Sequence, residues 1–276
     1  MSEWIGSAQS QNTKERMEDV AVVRLFDEGG GLFAVLDGHN GRVSVDFVSE
    51  YLPDAIIGSE AFASGRIEEA LHEGFRKTEE ALLGILKLEA KEATVQEHED
   101  DTDADFPVLT SGVVVCVVIM WRGVVYTANV GDCRAVMARD RDALQLTTDH
   151  NTLDPIELER VQAFVGPEGY VRGLMVTRSL GNVSIKSLQK CEGQIADPVV
   201  CHFPIDSDND DFILIASDGL YEVLSNDAAV SIVQRALKRP SCTADKIAKE
   251  LVDRAVARGS CDNICACVVL LKKRPQ

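Results

Sequence analysis

The chain has 276 residues and carries 28 Lys and Arg against 45 Asp and Glu, a formal net charge of −17. Such an acidic balance repels phosphate-rich partners and argues against nucleic-acid or anionic-membrane binding. Apolar residues make up 45% of the chain, enough to build a core, which excludes disorder throughout.

Residues 1–10, MSEWIGSAQS, show neither the basic nor the apolar stretch of a signal peptide. Ser2 and the closing KKRPQ offer no lipid anchor. Strands are expected at Ala21–Phe26 and Gly31–Asp37, which are apolar, rich in Val and bounded by Gly and Asp. Ile67, Ala70, Leu71, Gly74, Phe75, Thr78 and Leu82 keep to one helical face, with Ser64 as the expected cap. Glu97 to Asp105 carries six carboxylates in nine residues, so the stretch at about 92–107 reads as a solvated acidic loop. Val113–Trp121 is an apolar run of nine residues, too short for the 20 or so that span a membrane, and it reads as a strand. Arg122-Gly123 turns it into Val124–Val130, and Cys133–Ala138 adds another strand. A helix is expected around Asp154 to Phe164, then a second acidic loop at 206–211 and a strand at Phe212–Ser217. Neither acidic loop has the Gly and Glu positions of a calcium-binding loop, so both read as solvated. Helices from Asp227 to about Lys238 and from a Thr243 cap to Gly259 precede a last strand, Ile264–Leu271. This order is not alternating βαβ. It predicts one α+β domain over residues 1–276, with mainly antiparallel strands and helices segregated to the outside.

Of the eight cysteines, Cys116, Cys265 and Cys267 lie inside apolar runs. They read as reduced, buried thiols of a cytoplasmic or nuclear protein. The spacing of Cys261, Cys265 and Cys267 is not that of a zinc site.

Carboxylates recur at the strand ends. Glu18-Asp19 precedes the first strand, Asp37-Gly38 closes the second, and Asp132 sits between two strands. Asp218-Gly219 follows Phe212–Ser217, and Asp262-Asn263 precedes the last strand. Asp-Gly and Asp-Asn also serve ordinary turns. If the five sites converge on one sheet rim, like charges raise their pKa values unless cations sit among them. Oxygen ligands of this kind select Mg²⁺ or Mn²⁺, and two ions balance four or five carboxylates. His39, two residues past Asp37, is then a candidate proton donor.

Seven segments, in order, resemble the motifs of the metal-dependent protein serine/threonine phosphatases of type 2C. They are RMEDV (16–20), AVLDGHNG (34–41), ANVGDCRAVM (128–137), LTTDHN (146–151), VTRSLGN (176–182), ASDGLYEVLSN (216–226) and GSCDN (259–263). The resemblance covers roughly Ser7 to Leu271. It implies a β-sandwich of two mainly antiparallel sheets flanked by helices on both outer faces, with a two-metal cleft at one end. It places Asp37 on both metals, the Gly38 carbonyl on one of them and Glu18 on the second. Asp218 and Asp262 hold the first metal, and Asp132 joins Asp218 at a weaker third. A hydroxide shared by the metals attacks phosphorus in line, and His39 protonates the departing Ser or Thr oxygen of a phosphoprotein substrate. No cysteine nucleophile is required.

The chain also departs from the pattern. The phosphate-binding Arg of the family falls on Lys14, which supplies charge without the two-pronged donor, and Arg16 is a neighbouring substitute. The Ser-Gly-Ser-Thr block becomes Thr110-Ser111-Gly112-Val113 or, one residue on, Ser111-Gly112-Val113-Val114, losing the Thr near the metals. Asn182 replaces the usual Asp after Leu-Gly, Asn151 replaces Lys, and the flap segment Gly166–Arg172 is short. Lys14 and Val113 support a rival expectation, a weakly active or inactive relative that serves as a phosphoprotein-binding scaffold, but the matched carboxylates on the two principal metals and His39 are all present, so the expected function is the active Mg²⁺/Mn²⁺-dependent phosphatase.

Overall fold

Antiparallel pairing of apolar strands organises the chain, which the computed structural model describes over residues 4–96, 107–186, 193–240 and 242–272. One sheet has the order β1 (Ile5–Ser10), β11 (Ile264–Leu270), β10 (Asp210–Ala216), β6 (Arg134–Arg139), β7 (Asp142–Gln145). The other has the order β2 (Asp19–Leu25), β3 (Gly31–His39), β4 (Gly112–Trp121), β5 (Val124–Val130), β9 (Val199–Pro204), with β8 (Leu180–Gly181) paired to the start of β4. The helices are α1 (Val43–Ile57), α2 (Glu60–Ala63), α3 (Ile67–Gln96), α4 (Pro107–Thr110), α5 (Pro155–Val161), α6 (Val183–Lys186), α7 (Asp218–Tyr221), α8 (Asn226–Leu237) and α9 (Ala244–Ala257). The chain is thus α+β, with two antiparallel sheets as expected. It divides into two compact units, one of residues 1–37, 115–148 and 199–276, the other of residues 38–114 and 149–198.

In the first unit the period-two alternation of the strands builds the core. Phe212, Leu214 and Ala216 of β10 and Ile264, Ala266, Val268 and Leu270 of β11 point to one face. There they pack with Val230, Val233, Ile247 and Leu251 of α8 and α9. Cys265 and Cys267 take the opposite face of β11 and are fully buried, as expected of apolar-run thiols. Both faces of β10 and β11 are covered, which is why their sequences read as unbroken apolar runs. Trp4, ahead of β1, meets Phe33 of β3 edge to face at 6.1 Å between ring centroids and ties the two sheets together. Truncating a Leu in such a core costs about 2–5 kcal/mol.

The second unit holds α1–α6 and β8. Its main buried charge is Glu157 on α5, 2% exposed. Arg160 and Arg178 each donate to its carboxylate at 2.6 Å, and Thr177 Oγ1 donates at 2.5 Å. Burial alone pushes this carboxyl up, but the hydrogen bonds from Arg178, Arg160 and Thr177 overcome it and hold Glu157 far below the usual carboxylate range.

Several expectations need correction. Ser64 caps the C-terminus of α2 rather than opening α3, because Ser59 and the tight turn after it start a separate short helix. α3 continues through Gln96, so residues 92–96 are helical rather than loop. Residues 97–106, which carry most of the first acidic segment, lie outside the described residues. The second acidic loop is a turn only as far as Asn209. Asp210 opens β10, fully buried, and Arg139 grips it with two bonds of 2.6 and 2.8 Å. β1, β7, β9 and α1 carried too weak a pattern to be expected. β1, IGSAQS, has one β-branched residue and is a strand because six residues pair with β11.

Candidate active site

The turn of the β2–β3 hairpin sets Asp19 opposite Asp37, and residues opposed on antiparallel strands share a face. At the end of β10, Ser217 Oγ donates to Asp19 Oδ2 at 2.7 Å and accepts the Cys265 N–H at 2.9 Å. Asp218 follows, and its carboxyl shares a hydrogen bond with Asp37. Asp132, between β5 and β6, and Asp262, ahead of β11, also act on Asp37. Asp19 and Asp218 thus hydrogen-bond to Asp37, and Asp132 and Asp262, from two further segments of the first unit, lie close enough to act on it by charge.

Their proximity is costly. Burial pushes the Asp37 carboxyl well above the carboxylate range, and the charges of Asp19, Asp218, Asp132 and Asp262 push it further. Burial likewise raises Asp19 to about 7, against the hydrogen bond from Ser217 and aided by Asp218 and Asp262. Asp218 is raised by burial and then by Asp262. Asp19 Oδ1 and Asp218 Oδ1 are buried with no hydrogen-bond partner. Lys14 is the nearby cation. Its Nζ lies 2.8 Å from Asp262 Oδ1, and this bond, together with the charges of Asp218 and Asp37, raises its pKa. Among the described residues no three His, Cys, Asp or Glu side chains stand preformed as a metal cage. The orphaned oxygens and the all-oxygen donor set nevertheless fit hard divalent cations, which would relieve both costs.

In the second unit, His39 ends β3. Its Nε2 lies 3.1 Å from Asn182 Oδ1 and 3.0 Å from Asn182 Nδ2. Burial lowers the His39 pKa, opposed by the Asn182 hydrogen bond and reinforced by Lys186. Lys186 donates to Glu79 at 2.5 Å, and Glu79 accepts the Gly181 N–H at 2.9 Å, fixing the turn that carries Asn182. Gly112 on β4 is required here. A Cβ at that position would stand 2.1 Å from Asn182 Oδ1 and 2.5 Å from His39 Nε2. Glu79 and Lys186 also line a groove of about 710 Å³ along α3, which none of the five aspartates lines.

Comparison with known proteins decides the family. The model for protein phosphatase 2C matches residues 5–264. The chain belongs to the protein phosphatase 2C family. It is therefore classed with the protein serine/threonine phosphatases. A probable protein phosphatase 2C 22 of Arabidopsis thaliana is 30% identical over 88% of this chain, which spans 59% of that relative's length. A probable protein phosphatase 2C 3 of Paramecium tetraurelia is 30% identical over 97% of this chain and 92% of its own. The crystal structure of a serine-threonine phosphatase 2C from Toxoplasma gondii superposes with a TM-score of 0.79 over 97% of this chain and 94% of its own, at 18% identity, a likeness of fold.

Of the expected site residues, Asp218 hydrogen-bonds to Asp37, Asp132 and Asp262 act on Asp37 by charge, and Lys14 reaches Asp262. Arg16 is exposed. Glu18 is half-buried, and its backbone N–H donates to Asn263 Oδ1 at 2.7 Å. Gly38 is buried directly after Asp37. Sequence reasoning passed over Asp19 in favour of Glu18. Counting equal steps back from the 26–30 turn would have set residue 19 opposite residue 37. It also passed over Ser217 and Asn263, which hold Asp19 and the Glu18 backbone, because neither type signals chemistry alone. Cys133 and Cys265 are pushed well above the usual thiol range by burial and then by the aspartates, and burial takes Cys267 up to about 12. Such thiols are poor nucleophiles.

Proposed function

We propose that this chain hydrolyses phosphoserine and phosphothreonine esters in proteins, with Mg²⁺ or Mn²⁺ held by the aspartate cluster. The observation that carries the reading is the gathering of Asp19, Asp37, Asp132, Asp218 and Asp262 with buried oxygens left unbonded. Asp37 would be shared by two ions, with Glu18 and the Gly38 carbonyl on one side and Asp218 and Asp262 on the other. Asp132 with Asp218 would hold a weaker third. Bound divalent cations supply charge neutralisation at the phosphoryl group and activation of water at neutral pH. Ser217 holds Asp19, and Asp19, hydrogen-bonded to Asp37, would steady the Asp37 carboxyl. Lys14 supplies positive charge to the phosphoryl oxygens. His39 follows Asp37 by two residues on β3, and alternate residues of a strand share a face. Its role is to protonate the departing Ser or Thr oxygen. The family match over residues 5–264 supports reading the chain as one domain of this type. Buried thiols, with no disulfide among the described residues, support a reducing compartment, cytoplasmic or nuclear. No helix among the described residues is long and apolar enough to cross a membrane.

The test is Mn²⁺-dependent phosphate release from a phosphothreonine peptide, with Asp218→Asn as control. Turnover by the parent chain and a loss of about 100-fold or more in the variant are expected. No turnover in the parent contradicts the reading. One observation favours a second reading. Lys14 occupies Asp262, a carboxylate assigned to an ion. A chain in which it stays there binds phosphoproteins without cleaving them, and phosphopeptide binding without turnover would establish that.

A further inference from the structure

The groove along α3 lies wholly within the second unit, and its volume of about 710 Å³ takes a peptide segment. α3 lends it a face over residues 69–80, about 16 Å long at 1.5 Å per residue, which matches about five residues of extended chain. Residues 194–198 lend it an apolar part, with Ile195 and Ala196 half-buried and Pro198 buried. Among the described residues, six carboxylates and three cations line it. Each cation is already engaged by a lining carboxylate. Arg66 meets Glu69 and Arg76 meets Glu80, both at 2.6 Å, and Lys186 meets Glu79 at 2.5 Å. Three carboxylates are left over. Glu73 pairs with Lys77 at 2.7 Å, outside the lining, and Glu60 and Asp197 have no ion pair among the described residues. An anion entering here would have to displace a bonded carboxylate, whereas a cation meets an excess of negative charge. Lys and Arg also lay their methylene stems on apolar surface while their charged ends reach polar groups, and Ile195 and Ala196 offer that surface.

The groove is tied to the residue beside His39. Gln194, which lines it, meets Ser179 Oγ at 2.8 Å, and Lys186 Nζ donates to Ser179 O at 2.7 Å. Ser179 Oγ donates to Asn182 Oδ1 at 2.6 Å, and Asn182 touches His39. Three hydrogen bonds thus lead from a groove side chain to His39, a reach that one short polypeptide covers. We propose that the groove is a docking site for a Lys- and Arg-rich segment of the phosphoprotein whose phosphorylated residue is brought to His39. This deepens the phosphatase reading given above and rests on it for the identity of the occupant. Glu60, Glu73 and Asp197 select the basic side chains. Glu79 and Lys186 form the fixed end of the groove, because they also hold the turn that carries Asn182. Acidic segments are turned away by the same three carboxylates.

The probe is a phosphothreonine peptide with an Arg-Lys-Arg block on each side, joined through Gly-Ser spacers. Its partner has Gln in place of every Arg and Lys. On the Mn²⁺-loaded parent chain, KM for the basic peptide should be about 10-fold lower at low salt, with kcat nearly unchanged, and the gap should close at about 0.5 M NaCl. The triple variant Glu60→Gln, Glu73→Gln, Asp197→Asn should bring the two KM values together while keeping the parent's activity on an aryl phosphate. A control triple, Asp27→Asn, Glu28→Gln, Asp142→Asn, removes the same charge from the first unit and should keep the preference. Equal KM values in the parent overturn the proposal, as does a preference that survives the groove triple or is lost equally in the control triple. Fluorescence anisotropy of the unphosphorylated basic peptide, without added metal, separates this proposal from the phosphatase reading. Binding that only the groove triple weakens, in a chain that cleaves no phosphoester, supports the groove and overturns the phosphatase reading alone. Turnover with neither a KM difference nor peptide binding overturns the groove alone. Peptide binding that brings no gain in KM to a chain that does turn over places a different partner in the groove and overturns the assignment to the phosphoprotein.

Discussion

Glu157 in the second unit and the aspartates around Asp37 in the first bury carboxylates in opposite ways. Glu157 is met by two guanidinium groups and a hydroxyl, and its pKa falls. Asp19, Asp37 and Asp218 meet chiefly one another, and their pKa values rise. Both arrangements take charge out of water, which is costly. One is compensated within the chain and behaves as a structural tie. The other meets positive charge from Lys14 at Asp262 but little at Asp19 and Asp37, which is the shortfall the proposed cations would make good.

The largest effect that would sharpen this contrast comes from the compensated site. Glu157→Gln leaves Arg178 buried without its countercharge and should destabilise the chain by about 3–5 kcal/mol in urea unfolding. Mn²⁺ affinity should not change. Asp218→Asn should act in the opposite direction. It removes a like charge, so the metal-free variant should gain about 1 kcal/mol or more in the same measurement. Destabilisation of metal-free protein by Asp218→Asn would break the contrast.

The pH dependence follows from the same shifts. Asp19 is raised to about 7 in the folded chain, above its unfolded value. Between the two values the folded state holds a proton that the unfolded state has lost, so stability is full at low pH and falls as pH rises through about 7. Metal-free protein should therefore lose several degrees of Tm between pH 5 and pH 8, and Mg²⁺ should remove that loss. Glu157 runs the other way, since its contribution is present above the usual Glu value and is lost as pH falls.

These two sites also show what could be read before the structure was known. Strands with continuous apolar runs, such as Val113–Trp121 and Ile264–Leu271, were legible to within a residue, because burial on both faces demands that composition. β1 was not legible, since its pairing with β11 lies over 250 residues away in sequence, and local propensity carries no trace of it. The aspartates at strand ends were visible as a pattern, but Asp-Gly and Asp-Asn also make turns, and only motif order separated the two meanings. Asp19 and the support from Ser217 required the register of β2 on β3 and of β10 on β11. Glu157 was invisible, because its partners Arg178 and Thr177 are set by a fold and not by spacing.

The smallest effect concerns Lys14. Lys14→Arg supplies a two-pronged donor, and KM for a phosphothreonine peptide should fall about threefold with kcat nearly unchanged. An unchanged or raised KM would remove Lys14 from the phosphate position.

Equilibrium dialysis of Mn²⁺ against the parent chain and Asp37→Asn at neutral pH tests the aspartate cluster most directly. Two tightly held ions per parent chain, and the loss of both in the variant, are the predicted result. Equal Mn²⁺ binding by the two proteins, or none by either, would contradict the account.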